Sequence, residues 1–295
     1  MKPPPGTSVP VGRVLGTQDS MPLEFWVGVA EGQYLQLDDV VVVETPLPDG
    51  RSVRLFGVVD IVRARHEGAR FDSDVFLIED GVMPASVAQA AHVHVTRVEP
   101  EIFVPPRPGQ EVRRAAGLDR DQALFFDGME RRVPIGQSRD GEPVYANLDF
   151  LDGSRGAHIN ISGISGVATK TTYATFLLHS VFTCGALGAE AASTHALIFN
   201  VKGEDLLFLD QPNQKLRAED RAAYAKLGLR AEPFDSVQLL APVRPGNRER
   251  LPATGSRQEG VQSFFWTLRE FVNDRLLRFL FAEAEDSASQ LGFVV

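Results

Sequence analysis

Between Ile161 and Thr172 the chain reads Ile-Ser-Gly-Ile-Ser-Gly-Val-Ala-Thr-Lys-Thr-Thr, a glycine-bearing turn that brings a lysine and two hydroxyls to the start of an apolar run. A strand, a glycine turn and a helix start are the setting of a phosphate-binding loop. In such a loop successive backbone N–H groups make a nest for phosphate oxygens, and the helix N-terminus adds its dipole and its unsatisfied donors. The lysine supplies a mobile positive charge for the β- and γ-phosphates, and the hydroxyl after it ligates Mg²⁺. Candidate contacts are therefore Gly163, Ser165, Gly166, Val167, Ala168, Thr169, Lys170, Thr171 and Thr172, with Thr171 on the metal. Lys170 is the sole lysine between Pro3 and Val201.

The spacing departs from the standard pattern, which places five residues between its first glycine and its lysine. Here six separate Gly163 from Lys170, and Ala168-Thr169 stands where a glycine would precede the lysine. Glycine serves there because the backbone needs positive φ or close approach to phosphate. A loop of this sequence takes a wider path, with Gly166 absorbing the turn, or carries strain. A turn that binds nothing is the competing reading.

Glu204 is the candidate catalytic carboxylate. It follows the apolar run Thr194–Val201, and open α/β sheets place ligands at the carboxyl ends of their strands. There it would position water or a metal near a γ-phosphate. The alternative is an exposed turn acid beside Lys202, with Asp205 the weaker candidate. His92 and His94 alternate with Val93 and Val95, so they share one strand face with no third ligand at a recognisable spacing; a polar strand face accounts for them, and His66 stands apart.

Two kinds of text must position these groups. From Val11 to Val104, short β-branched and aromatic runs predict strands at Phe25–Val29, Val40–Val43, Val53–Val62, Val75–Ile78 and Val93–Val98. Turn residues such as Pro48-Asp49-Gly50 separate them, and five or six such strands make a small barrel or sandwich. Phe103–Gly109, with three prolines, marks the expected boundary between a barrel at 1–108 and a second domain at 109–295. Arg132–Gly136 and Val144–Leu148 read as a hairpin. Beyond Gly156 strands are expected at Ala157–Ser162, Thr194–Val201 and Val237–Val243. Helices are expected at Thr171–Phe182, Glu219–Leu227 and along Gln258–Glu285. That alternation predicts a parallel sheet covered by helices.

At 295 residues with 43% hydrophobic and 23% charged, the chain has globular composition and room for about two domains. No apolar run reaches the ~20 residues of a membrane span, and the lone Cys184 suits a reducing cytoplasm. The net charge of -9 falls mostly on residues 1–150, where 15 Lys+Arg meet 23 Asp+Glu. That half lacks the basic footprint of a DNA-gripping surface. A ring that grips through a few pore loops is compatible with an acidic exterior.

The segment from Ala157 to Thr171 resembles the corresponding strand, loop and helix of bacterial HerA-like ATPases. Val11–Gly16 and Gln36–Val41 resemble that family's N-terminal β-barrel, and Leu197–Asp205 its second core strand and acidic turn. The resemblance implies a small β-barrel followed by a RecA-like P-loop α/β domain. It further implies ATP and Mg²⁺ as cofactors, a homo-hexameric ring moving along double-stranded DNA, and a nuclease or defence protein as partner. It assigns phosphate to Lys170 and Mg²⁺ to Thr171 or Thr172. Motor ATPases also need a later apolar strand ending in carboxylates. Thr194–Val201 runs into Lys-Gly-Glu and Val237–Val243 into Arg-Pro-Gly, so the core is expected to be incomplete, the first part of a longer polypeptide. The alternatives are a nucleotide-binding or inactive scaffold with a degenerate loop, or another P-loop enzyme such as a small-molecule kinase.

Overall fold

The computed structural model describes residues 9–69, 71–163, 169–200, 204–246, 249–276 and 279, which fall into two compact units. The first comprises the residues up to Arg132 together with 145–158. The second comprises 133–144 and the residues from Ile159 onward.

The first unit is a closed antiparallel barrel. Its strands are β1 (Pro10–Val14), β2 (Glu24–Val29), β3 (Val40–Pro46) and β4 (Ser52–His66). After the helix α1 (Asp74–Glu79) come β5 (Val87–Glu99) and β6 (Glu111–Arg114). The order around the barrel is β1-β2-β5-β4-β3-β6. Alternation along each strand turns one face inward, so Phe25, Val27, Val41, Val43, Val53, Leu55, Val59 and Val93 fill the interior and exclude water. Closure leaves the paired part of the sheet without an edge. Outside, Val42 and Phe56 are covered by Ala115 and by Ala123 of the helix α2 (Leu118–Ala123). The Thr96 hydroxyl donates to the Ala123 carbonyl at 2.8 Å, pinning that helix.

Two readings of this half change. Val75–Ile78, expected as a strand, belongs to α1, which buries none of its residues. Its apolar side chains have no ladder to join, because it lies in the connection between β4 and β5 beyond the barrel wall. The strand that closes the barrel, β6, lies past the Phe103–Gly109 boundary, and the compact unit continues to Arg132. The prolines there serve a connection within the barrel domain.

The boundary between units passes through a hairpin of β7 (Arg132–Gln137) and β8 (Pro143–Asn147), close to the pair predicted. In the second unit α3 (Thr169–Thr183) is held by Ser180 donating to the Pro134 carbonyl at 2.6 Å and Tyr173 to Ile135 at 3.0 Å. The helix α4 (Ala218–Lys226) brings Tyr224 edge-on to Phe176 and His179. Burial keeps the His179 imidazole below its ordinary pKa, hence neutral, and its Nε2 lies 3.0 Å from the Glu232 carbonyl.

A small parallel sheet pairs β9 (Leu239–Pro242) with β10 (Val261–Phe264), the first within the expected strand Val237–Val243. The partner corrects the first part of the long helix expected over Gln258–Glu285, whose residues 277, 278 and 280–285 lie outside the described residues. Among the described residues that stretch contains β10, then the short α5 (Leu268–Asn273), opened by a Thr267–Glu270 capping box, and a helical Phe279. Among the described residues, 157–163 and 194–200 join no ladder, although strands were expected there. No helix among the described residues is long and apolar enough to cross a membrane.

Candidate functional site

The loop before α3 carries the predicted phosphate contacts. Gly163 is exposed at its start. Ser165, Gly166, Val167 and Ala168 lie outside the described residues. Thr169 opens α3, and Lys170 stands half-buried in its first turn. The Lys170 ammonium reaches back to donate to the Gly163 carbonyl at 3.1 Å, so the two ends of the loop are tied by the residue expected to meet phosphate. The first turn of α3 has no acidic residue. Its unpaired N–H groups and the lysine therefore add their positive potential instead of cancelling it.

Thr171 and Thr172 are exposed in the same turn. Their carbonyls both accept from the Thr175 hydroxyl, at 3.0 and 2.9 Å. The Thr171 residue is exposed at the helix start.

Glu204 is engaged elsewhere. Its Oε1 accepts from the Gly255 N–H at 2.7 Å, and its Oε2 accepts from the Ser256 N–H at 2.5 Å and from the Ser256 hydroxyl. These bonds, the Ser256 hydroxyl foremost, hold the carboxyl below its ordinary pKa. A second tie lies beside it: Arg257 grips Asp210 with two N–H···O bonds, at 2.5 and 2.7 Å, and holds that carboxyl down to about 2. Among the described residues neither Glu204 nor Lys170 forms an ion pair, and Asp205 only opens a 3₁₀ turn, Asp205–Phe208. The Gly255-Ser256 amides were missed at the sequence level. The signal was Thr254-Gly255-Ser256-Arg257, small residues whose adjacent N–H groups form an anion-receptive turn.

His92 and His94 share the outer face of β5, alternating with the buried Ala91, Val93 and Val95, and differ in their surroundings. His92 lies between two carboxylates, with Asp60 Oδ1 2.6 Å from Nδ1 and Glu24 3.6 Å from Nε2, and it rests against the Trp26 ring. His94 is exposed. No cluster among the described residues has the makings of a metal site.

No protein-family model matches the chain, and no curated protein matches it.

Proposed function

We propose that the chain is a nucleotide-binding subunit of a HerA-type double-stranded DNA translocase, taking ATP–Mg²⁺ at the loop Gly163–Thr172. The observation that carries the reading is Lys170: a half-buried lysine in an acid-free first helical turn, whose ammonium reaches back to the Gly163 carbonyl. Triphosphate oxygens would take that ammonium from the carbonyl, and Thr171 would offer its hydroxyl to Mg²⁺. In this reading the second unit is RecA-like and the β-barrel organises a homo-hexameric ring or docks a nuclease partner. DNA is gripped in the ring's pore, which accommodates the acidic balance of residues 1–150.

A second reading has its own observation. Glu204, the carboxylate that would align the attacking water, is satisfied by Gly255 and Ser256. A subunit that binds nucleotide without turning it over, or a scaffold, needs nothing else from Glu204.

Titration with a fluorescent ATP analogue and Mg²⁺ separates these readings. The wild type is expected to bind, and Lys170→Ala to weaken binding by roughly 30-fold or more, the value of a charge-assisted contact of about 2 kcal/mol. Absence of binding by the wild type would overturn nucleotide binding. Turnover raised by double-stranded DNA supports translocation, and a rate indifferent to DNA refutes it.

A further inference from the structure

The helix α2 ends in a left-handed turn of the kind that glycine usually fills. Phe126 N–H donates to the Asp121 carbonyl at 2.8 Å and Phe125 N–H to the Gln122 carbonyl at 3.2 Å, the paired bonds of a Schellman cap. The residue one past the cap takes positive φ, and here it is Phe125, at φ 58°. A Cβ disfavours that conformation, and glycine is free of the penalty. The neighbouring Phe126 is buried and meets Tyr145 edge-on at 5.2 Å, so it is the ring that anchors the turn. Phe125 stays 52% exposed, with the Arg97 guanidinium 5.1 Å from its ring centre. Backbone strain of this sort collects where a side chain is held for a ligand or a partner.

Phe125 lines a groove of about 490 Å³ in the barrel unit, together with Phe103 and with Leu23, the residue before β2. Ile102 and Val104 pack on the barrel core, and Phe103 between them is left 59% exposed; Leu23 is 53% exposed. Three large, half-open apolar side chains around one concavity are the mark of a contact surface. The charges beside it are unequal. Arg97 meets Glu99 and, at 2.7 Å, Asp127, and Arg54 meets Glu99 at 2.9 Å and Asp119 at 3.3 Å. Both guanidiniums are thus engaged by carboxylates of the chain itself. Glu101, on the groove wall, is exposed and forms no ion pair among the described residues. Within this set four carboxylates (Glu99, Glu101, Asp119 and Asp127) face two guanidiniums, a surplus of two negative charges.

We propose that this groove docks a linear segment of a partner protein that carries large apolar side chains flanked by lysine or arginine. Leu23, Phe103 and Phe125 receive the apolar side chains, and Glu101 with the surplus charge beside it receives the cations. Aromatic contacts in a pocket supply most of the affinity of such a site, and complementary charge selects the partner and speeds its approach. The same negative surplus repels a phosphate backbone and an anionic lipid surface, which favours a protein segment over nucleic acid or membrane. Every residue involved belongs to the first unit, so docking stands whether or not the loop Gly163–Thr172 takes nucleotide.

The probe is a short fluorescein-labelled peptide with leucine and tryptophan flanked by lysines, titrated by anisotropy against the full chain. Its controls replace the lysines by glutamates, or the leucine and tryptophan by serines. The wild type is expected to bind the lysine peptide about tenfold or more tightly than either control, since each tenfold corresponds to ~1.4 kcal/mol. Phe125→Gly separates docking from folding. Glycine suits the left-handed position, so the thermal midpoint is expected to stay within about 5 °C of the wild type while affinity falls about fivefold or more. Glu101→Lys, at an exposed position, is expected to cut the preference for lysine over glutamate by about threefold or more. The proposal is overturned if the wild type shows no binding at millimolar peptide, if Phe125→Gly binds undiminished, or if Glu101→Lys keeps the charge preference. A larger midpoint loss in Phe125→Gly would make the ring a structural element and overturn it too. So would wild-type self-association, measured by sedimentation, that Phe125→Gly abolishes, since a second copy would then fill the groove. Displacement of the peptide by a DNA oligonucleotide or by anionic vesicles, at lower concentration than by unlabelled peptide, would overturn the choice of a protein segment.

Discussion

Gly57→Ala tests the close packing of the barrel. Gly57 is buried in β4 beside a register shift between Phe56 and Gly57. A Cβ there would fall 2.4 Å from Val93 Cγ1 and 2.7 Å from the His94 carbonyl oxygen. Val93 is itself fully buried, and His94 belongs to the β4–β5 ladder, so neither can give way without opening the wall. Overpacking of a well-filled core costs about 1–3 kcal/mol, and displacing a ladder carbonyl puts this case at roughly 2–4 kcal/mol. At about 3–4 °C per kcal/mol for a domain of this size, the midpoint is expected to fall by roughly 6–15 °C. Gly28→Ala is the control. The Cβ there meets Leu15 Cδ2 at 2.8 Å, the end of a side chain that can rotate away, so the cost stays below about 1 kcal/mol. The assay is thermal unfolding followed by Trp26 fluorescence in a Trp266→Phe background. A midpoint for Gly57→Ala within about 3 °C of wild type would refute the packing argument, as would equal losses for the two alanines.

Two further predictions concern the second unit. Asp210 titrates at about 2 in the folded protein because Arg257 holds it ionised, against an ordinary 3.8. A depressed folded value means stabilisation that is complete above the ordinary value and lost as pH falls through the folded one. Urea midpoints of the wild type are therefore expected to decline between about pH 4 and pH 2, and Asp210→Asn to flatten that decline; parallel profiles would count against it. Glu204→Gln replaces one accepting oxygen by an NH₂ that must face the Gly255 or Ser256 donors. Amide hydrogen exchange at Gly255 and Ser256 is expected to speed by roughly tenfold, and unchanged protection would show that the carboxylate does not close this turn.

The barrel was legible because its strands are written in the language that packs them. Val41 and Val43, Val53 and Leu55, and Ala91 and Val93 alternate inward-facing apolar residues along runs that no helix would tolerate. Val75–Ile78 carries the same residue types yet forms α1, because composition records preference for a half-buried sheet, and the connection between β4 and β5 offers no sheet at that point. The start of the helix expected over Gln258–Glu285 is a strand for the converse reason. Phe264, Phe265 and Leu268 recur at helical spacing, but Val261–Phe264 is held by pairing with Leu239–Pro242, a contact more than twenty residues away that a local period cannot encode.

The candidate site divides along the same line. Lys170 at the start of α3 follows from local text: a glycine turn, an apolar run and a lysine between them place an ammonium at a helix N-terminus whatever surrounds it. Glu204 depended on a non-local premise, that Thr194–Val201 is a buried parallel strand delivering it to a ligand. Leu197 and Phe199 instead remain 77% and 81% exposed, and residues 194–200 pair with no described strand. Without that strand the position of Glu204 is set by what lies nearest, and two amides with a hydroxyl are enough to hold a carboxylate. The lysine and the carboxylate therefore bear differently on function. The lysine already stands at the helix start that the proposed phosphate contact needs, whereas a hydrolytic role for Glu204 requires it first to leave Gly255 and Ser256.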